Sequence, residues 1–187
     1  MSRIIAASLA VLTTLPGLAA AEVLSASDTA FVARNRATID APPAKVWAQL
    51  VQPARWWSPA HSWSGDAANF SLDLRGGGCF CERLPNGGGV EHQRVVQVMP
   101  ERLLRLSGGL GPLQAEALAA VMSWDLKADG ERTVLTQTYK VGGTADGGLK
   151  GWAAPVDGVI REQFERLQRL IETGSPELPK PPPSTTP

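Results

Sequence analysis

Along most of this chain apolar and polar residues alternate with period two. Ala37 and Ile39 fall on one side of residues 34–40 while Arg36, Thr38 and Asp40 fall on the other, which predicts a half-buried strand. Segments 69–75, 79–84, 90–99, 103–107 and 121–128 repeat the pattern, and a further strand over 132–141 follows the turn signal Asp129-Gly130. Their connections are short, and short connections join antiparallel neighbours. Two stretches carry the helical period instead. Residues 42–50 open on proline and place Val46, Trp47 and Leu50 on one stripe, and a second short helical or irregular piece follows through Pro53 to Trp57. Near the other end, Val156, Val159, Ile160, Phe164, Leu167, Leu170 and Ile171 recur at helical spacing opposite Arg161, Glu162, Glu165, Arg166 and Arg169. This predicts one long amphipathic helix, opening near Pro155 and closed by Gly174. About seven strands need a cover, and the helix stripe is long enough to lie in the concave face of a curved sheet. The expected class is α+β: a curved antiparallel sheet around a long C-terminal helix, with two short helices after the first strand.

Both ends of the 187-residue chain fall outside this pattern. Arg3, the apolar run from Ile4 to Leu12, Pro16-Gly17 and the small residues Ala19-Ala20-Ala21 have the layout of a secretory signal peptide, with cleavage expected after Ala21. The apolar run is broken well short of the ~20 residues that a spanning helix needs. Residues 174–187 are rich in proline and are expected to form a disordered tail. Residues 22–173 remain as a single domain, and the expected location is periplasmic or secreted, with no stable membrane insertion once the leader is removed. Eighteen basic residues balance 18 acidic ones, so no basic field favours a nucleic acid.

Several pieces in order resemble the START and birch-pollen-allergen-like superfamily, also called SRPBCC, whose fold is the helix grip. They are the stretch from Ile39 to Trp47 with Asp40-Ala41-Pro42-Pro43 at its start, Arg55-Trp56-Trp57, and Gly77-Gly78-Cys79-Phe80-Cys81-Glu82. The run from Glu91 to Leu103, Trp124-Asp125-Leu126 and the terminal helix complete the set. Within the superfamily these motifs are similar to the branch of the activator of the heat-shock protein 90 ATPase. The resemblance implies a cavity between sheet and helix that takes a small hydrophobic ligand such as a lipid, a polyketide or an aromatic. A few members are cyclases or dehydratases, and no catalytic motif carries over by position. An exported protein would not meet the cytoplasmic chaperone, so the co-chaperone activity is not expected here. A cyclase or hydrolase-type enzyme and an envelope interaction module are the alternatives to a binding protein.

Candidate lining residues follow from residue type. Six tryptophans stand against one tyrosine, and Trp56, Trp57 and Trp63 crowd one loop beside His61. Such rings can stack on an apolar ligand. Trp57, Trp63, Cys79, Cys81, His92, Trp124 and Tyr139 form the expected ligand-binding set. His92 shares its strand face with Val90, Arg94, Val96 and Val98, so it is expected to face the cavity, where it and His61 are candidate acid/base groups rather than assigned ones. Cys79 and Cys81 share a face at an extended Cα spacing of ~6.6 Å, the upper limit for a disulfide. Small cavity-lining residues, reduced or bridged, are expected, and a metal pair with His61 or His92 is the sharper alternative. No metal or other cofactor is assigned. Glu82 and Glu91 are expected on solvated edges. The glycine-bearing segments 108–118 and 142–152 interrupt the strand rhythm and are expected to flank the cavity entrance.

Overall fold

The computed structural model describes residues 20–179. Residues 1–19 of the expected leader (1–21) and residues 180–187 of the expected tail (174–187) lie outside this range. Eight antiparallel strands form one sheet: β1 (Ala20–Ala26), β2 (Ala30–Ile39), β3 (Phe70–Leu72), β4 (Cys79–Arg83), β5 (Gly89–Met99), β6 (Leu103–Ser107), β7 (Ala117–Asp129) and β8 (Arg132–Thr144). Their spatial order is β1-β2-β8-β7-β6-β5-β4-β3, so the sheet is open, with β1 and β3 as its edges. Two α-helices complete the fold, α1 (Pro43–Leu50) and α2 (Ala153–Thr173). This is the expected helix-grip α+β architecture. The sequence reading lacked β1, an edge strand whose residues 22–26 are mostly exposed and carry no core pattern.

The central strands follow their alternation closely. Phe31, Ala33, Asn35, Ala37 and Ile39 of β2 and Thr133, Leu135, Gln137, Tyr139 and Val141 of β8 point into the concave face. On β7 the same face carries Ala120, Met122, Trp124 and Leu126. Helix α2 lays Ile160, Phe164, Leu167, Leu170 and Ile171 into it. The Trp124 and Phe164 rings stack with centroids 6.0 Å apart. Each such fully buried side chain contributes roughly 1.5–3 kcal/mol by leaving water. A direct polar pair crosses this core, with Asn35 Nδ2 donating to Gln137 Oε1 at 2.9 Å.

Helix α2 starts through a 3-10 turn at Leu149–Trp152, so Pro155 sits in its first turn, where a missing amide hydrogen costs nothing. Gly174 ends it in the left-handed region, φ 84°, donating its amide to the Leu170 carbonyl at 3.0 Å. The segment expected as a disordered tail begins by folding back. Glu177 accepts from the Arg166 guanidinium at 2.6 and 3.1 Å, and the Pro176 carbonyl accepts from Arg169 at 2.9 Å. Arg166 is nearly buried and needs that carboxylate.

Strand β5 departs from strict alternation. Phe80 pairs with Gln93 and Cys81 with Glu91, which leaves His92 as an extra residue, a β-bulge. A second irregularity skips Val96. His92, Gln93 and Val95 therefore all face inward, while Arg94 and Val96 face water. The uninterrupted face expected for Val90, His92, Arg94, Val96 and Val98 is corrected accordingly.

Candidate functional site

The first half of α2 faces His92 of β5 across the tryptophan loop and the glycine insert. Between them lies a cavity of about 350 Å³, open on one side. Its walls come from four places: Trp152, Pro155, Val156, Val159 and Ile160 at the start of α2, Trp57 and residues 60–63 of the tryptophan loop, Leu110 to Pro112 of the glycine insert, and His92 from β5. The lining is mostly apolar with a few polar groups, the usual make-up of a small-molecule pocket.

The tryptophan loop is held in place by polar contacts to its neighbours. Trp57 donates its indole N–H to the His61 carbonyl at 2.8 Å, and the Ser58 amide donates to Gln163 Oε1 of α2 at 2.7 Å. His61 Nε2 lies 2.9 Å from Glu162 Oε2, which ties the loop to the helix a second time. Further along, the amides of Trp63 and Ser64 donate to the two oxygens of Glu82 at 3.1 and 2.6 Å. The glycine insert is anchored from the other side. Tyr139 donates to the Gly108 carbonyl at 3.1 Å and accepts the Leu110 amide at 3.0 Å. Burial pushes the Tyr139 hydroxyl well above its ordinary pKa, so it stays a neutral anchor. Gly108 allows the close approach: at φ 146°, a Cβ there would sit 2.8 Å from the His92 carbonyl oxygen.

His92 and Glu82 form the polar floor. His92 Nε2 is 2.9 Å from Glu82 Oε2, and both side chains are buried. The imidazole packs against Phe70 and Phe80, with centroids 5.1 and 5.3 Å away. Burial alone would raise the Glu82 pKa, but the hydrogen bonds from Ser64, the Trp63 amide and His92 outweigh it and hold the carboxyl below its ordinary value. Burial lowers the His92 pKa, and the Glu82 charge recovers only part of that shift. The pair is therefore a carboxylate and a neutral imidazole. An ionised carboxylate can only accept, so Nε2 carries the proton and Nδ1 is an acceptor.

Of the expected ligand-binding set, Trp57, Trp63 and His92 line this cavity together with the candidate His61. Trp57 is buried, whereas Trp63 is 56% exposed at the mouth. Trp124 and Tyr139 are core residues and do not line it. Cys79 and Cys81 also lie elsewhere. Phe80 and Glu82 take the inner face of β4, which turns both sulfurs outward, where they are joined as a disulfide with Cα atoms 5.3 Å apart. The strand is contracted opposite the bulge, which brings the pair within bridging range. Among the described residues no group of three or more His, Cys, Asp or Glu side chains is placed to hold a metal ion. Glu82, expected on a solvated edge, is a buried member of the site. The sequence signal for it was parity, since Glu82 shares its face with the large apolar Phe80 rather than with the cysteines. Val156 and Val159 were legible only as a helix stripe, not as lining, and Trp152 only as the end of the glycine-bearing segment expected at the entrance.

Residues 30–172 match the family described as polyketide cyclase / dehydrase and lipid transport. The chain belongs to that family. The narrower branch of the heat-shock protein 90 ATPase activator is not supported by this match. Among solved structures, CalU16 from Micromonospora echinospora is similar at 18% identity and a TM-score of 0.56, over 86% of this chain and 87% of that one. A conserved protein of unknown function from Enterococcus faecalis is similar at 12% identity and a TM-score of 0.57, over 84% and 78% of the two chains. DynU16, from the dynemicin biosynthetic locus, matches at 22% identity and a TM-score of 0.53, over 76% of this chain and 48% of that one. These likenesses establish the helix-grip fold. No curated protein matches the sequence.

Proposed function

We propose that this protein binds one small, uncharged hydrophobic molecule, aromatic or polyketide-like, in the cavity beneath the first half of α2. The observation that carries the reading is the lining itself. Trp57, Trp63 and Trp152 supply rings, Val156, Val159 and Ile160 supply aliphatic surface, and no Lys or Arg is present among the lining residues. Membership in a family described by polyketide cyclisation, dehydration and lipid transport supports the same ligand class. Export is part of the proposal and rests on the leader-like residues 1–21. Among the described residues no helix is long and apolar enough to cross a membrane. Titration with N-phenyl-1-naphthylamine, a neutral apolar fluorophore, tests the binding reading. One saturable site with enhanced probe emission is expected, and no saturable binding would contradict it. N-terminal sequencing of the exported protein tests the address: a new terminus at Glu22 is expected, and an intact Met1 would remove that part.

The Glu82–His92 pair on the cavity floor favours a second reading, a cyclase-type enzyme in which a neutral imidazole held by a carboxylate moves a proton. That reading requires turnover of a bound compound that His92→Gln abolishes while probe affinity is kept.

A further inference from the structure

The cavity has a hydrogen-bonding floor as well as an apolar wall, and the chemistry of that floor narrows the ligand. Glu82 Oε2 receives both His92 Nε2 and the Trp63 amide, and Oε1 receives the Ser64 amide. Three fixed donors thus hold the carboxylate, and the imidazole cannot turn without breaking its bond to it. Nδ1 of His92 makes no hydrogen bond among the described residues. It is nevertheless not sealed in, unlike Asn35 Oδ1, Gln93 Oε1 and Asp157 Oδ1, which are buried without partners. His92 lines the cavity, and Nδ1 is the ring nitrogen left to accept there.

Two other polar side chains of the lining are already engaged. The Ser62 hydroxyl donates to the Pro59 carbonyl at 2.8 Å, and His61 is paired with Glu162 at the mouth. We infer that the floor of the cavity is a hydroxyl site, in which Nδ1 of His92 accepts a hydrogen bond from a phenol or enol O–H while the ligand's rings lie among Trp57, Trp63 and Trp152. This inference rests on the cavity reading above and adds the ligand's functional group. A carboxylate ligand meets an acceptor there and finds no cationic side chain in the lining. A carbonyl or ether oxygen has no proton to give. An ammonium would have to leave water for a buried carboxylate that three donors already stabilise. A phenol loses least, because its ring is apolar and its one strong donor meets an unpartnered acceptor.

Three naphthalenes with the same rings test this by quenching of tryptophan emission: 1-naphthol, 1-methoxynaphthalene and 1-naphthoate. A net hydrogen bond is worth roughly 0.5–1.5 kcal/mol, so 1-naphthol should bind about 2- to 13-fold tighter than the methyl ether, with 1-naphthoate weakest. His92→Phe keeps a ring between Phe70 and Phe80 and should erase the naphthol preference while the ether still binds. Should that variant not fold, the side-chain ¹⁵N resonance of His92 Nδ1 in the unmodified protein decides: it should shift with 1-naphthol and not with the ether. Equal affinities for naphthol and ether, an unmoved Nδ1 resonance, or preference for naphthoate overturns the hydroxyl site and leaves the apolar cavity standing. Binding of none of the three overturns the cavity reading itself, and the hydroxyl site with it.

Discussion

His92 is the extra residue of a β-bulge, and its Nε2 meets Glu82 Oε2 at 2.9 Å from the neighbouring strand. Without the bulge, regular alternation could not turn both His92 and Gln93 inward. Glu82 is thereby the hinge point of the site, joining β4 to β5 and to the tryptophan loop. Glu82→Ala leaves the Trp63 and Ser64 amides and the His92 N–H without their acceptor in a buried place. It should cost about 2–3 kcal/mol, measured by urea unfolding, and should loosen residues 57–64 in hydrogen exchange. Glu82→Gln keeps one acceptor oxygen and should cost less.

Acid should weaken the fold earlier than in a variant lacking His92. Burial holds the His92 pKa below its ordinary 6.5, so between that value and the folded one the unfolded chain binds more protons. Stability is then full above ~6.5 and falls as the pH drops, by at most about 1.4 kcal/mol per pH unit for this one group. Glu82 is held below its ordinary 4.5 and adds a second loss in stronger acid, as the pH falls through its folded value. The charged and titratable groups around His92 are Glu82 and, across the cavity, His61 with Glu162. Denaturation midpoints between pH 7 and 5 should decline in the unmodified protein and decline less in His92→Phe. Identical slopes would show that His92 does not carry the effect.

Reduction of the Cys79–Cys81 bridge should matter little. The loop it closes is very short, so the entropy withheld from the unfolded chain corresponds to about 1–2 kcal/mol. The bridge also lies on the outer face of β4, away from the cavity. Cys79→Ser with Cys81→Ser should lower the melting temperature by a few degrees and leave affinity for N-phenyl-1-naphthylamine unchanged. A lost affinity would mean that the outer face of β4 controls the floor.

The alternation of β2, β7 and β8 and the stripe of α2 were legible because each buries one continuous face, which fixes register along its whole length. The site was less so, for identifiable reasons. Local pairing rather than composition decides the bulge at His92, so extrapolating a period of two through residues 90–99 put Arg94 and Val96 on the wrong side. In β4 the cysteines looked like the small apolar residues of a pocket, yet Phe80 has more surface to hide and takes the inner face with Glu82. Trp63 and Trp56 are indistinguishable in sequence. One is exposed at the cavity mouth, and the other is core, with its ring against Trp57 and Trp124 and its indole N–H donating to the Gln49 carbonyl.

Filling the cavity from the helix side should separate binding from stability. Val159 lines the space and is only half-buried, so a larger ring there has room to enter. Val159→Phe should reduce affinity for N-phenyl-1-naphthylamine at least about 10-fold, a loss of about 1.4 kcal/mol of binding. Overpacking costs typically 1–3 kcal/mol only where a core is already full, so unfolding midpoints should stay nearly unchanged. Unaltered affinity would place the probe elsewhere.

The six tryptophans make the central claim directly readable. Trp57, Trp63 and Trp152 line the cavity, whereas Trp47, Trp56 and Trp124 do not. Indole ¹H–¹⁵N resonances recorded during titration with N-phenyl-1-naphthylamine should move for the first three and stay in place for the other three, saturating together at one probe per chain. Shifts centred on Trp47, Trp56 or Trp124, or no saturable shift at all, would contradict a ligand site beneath the first half of α2.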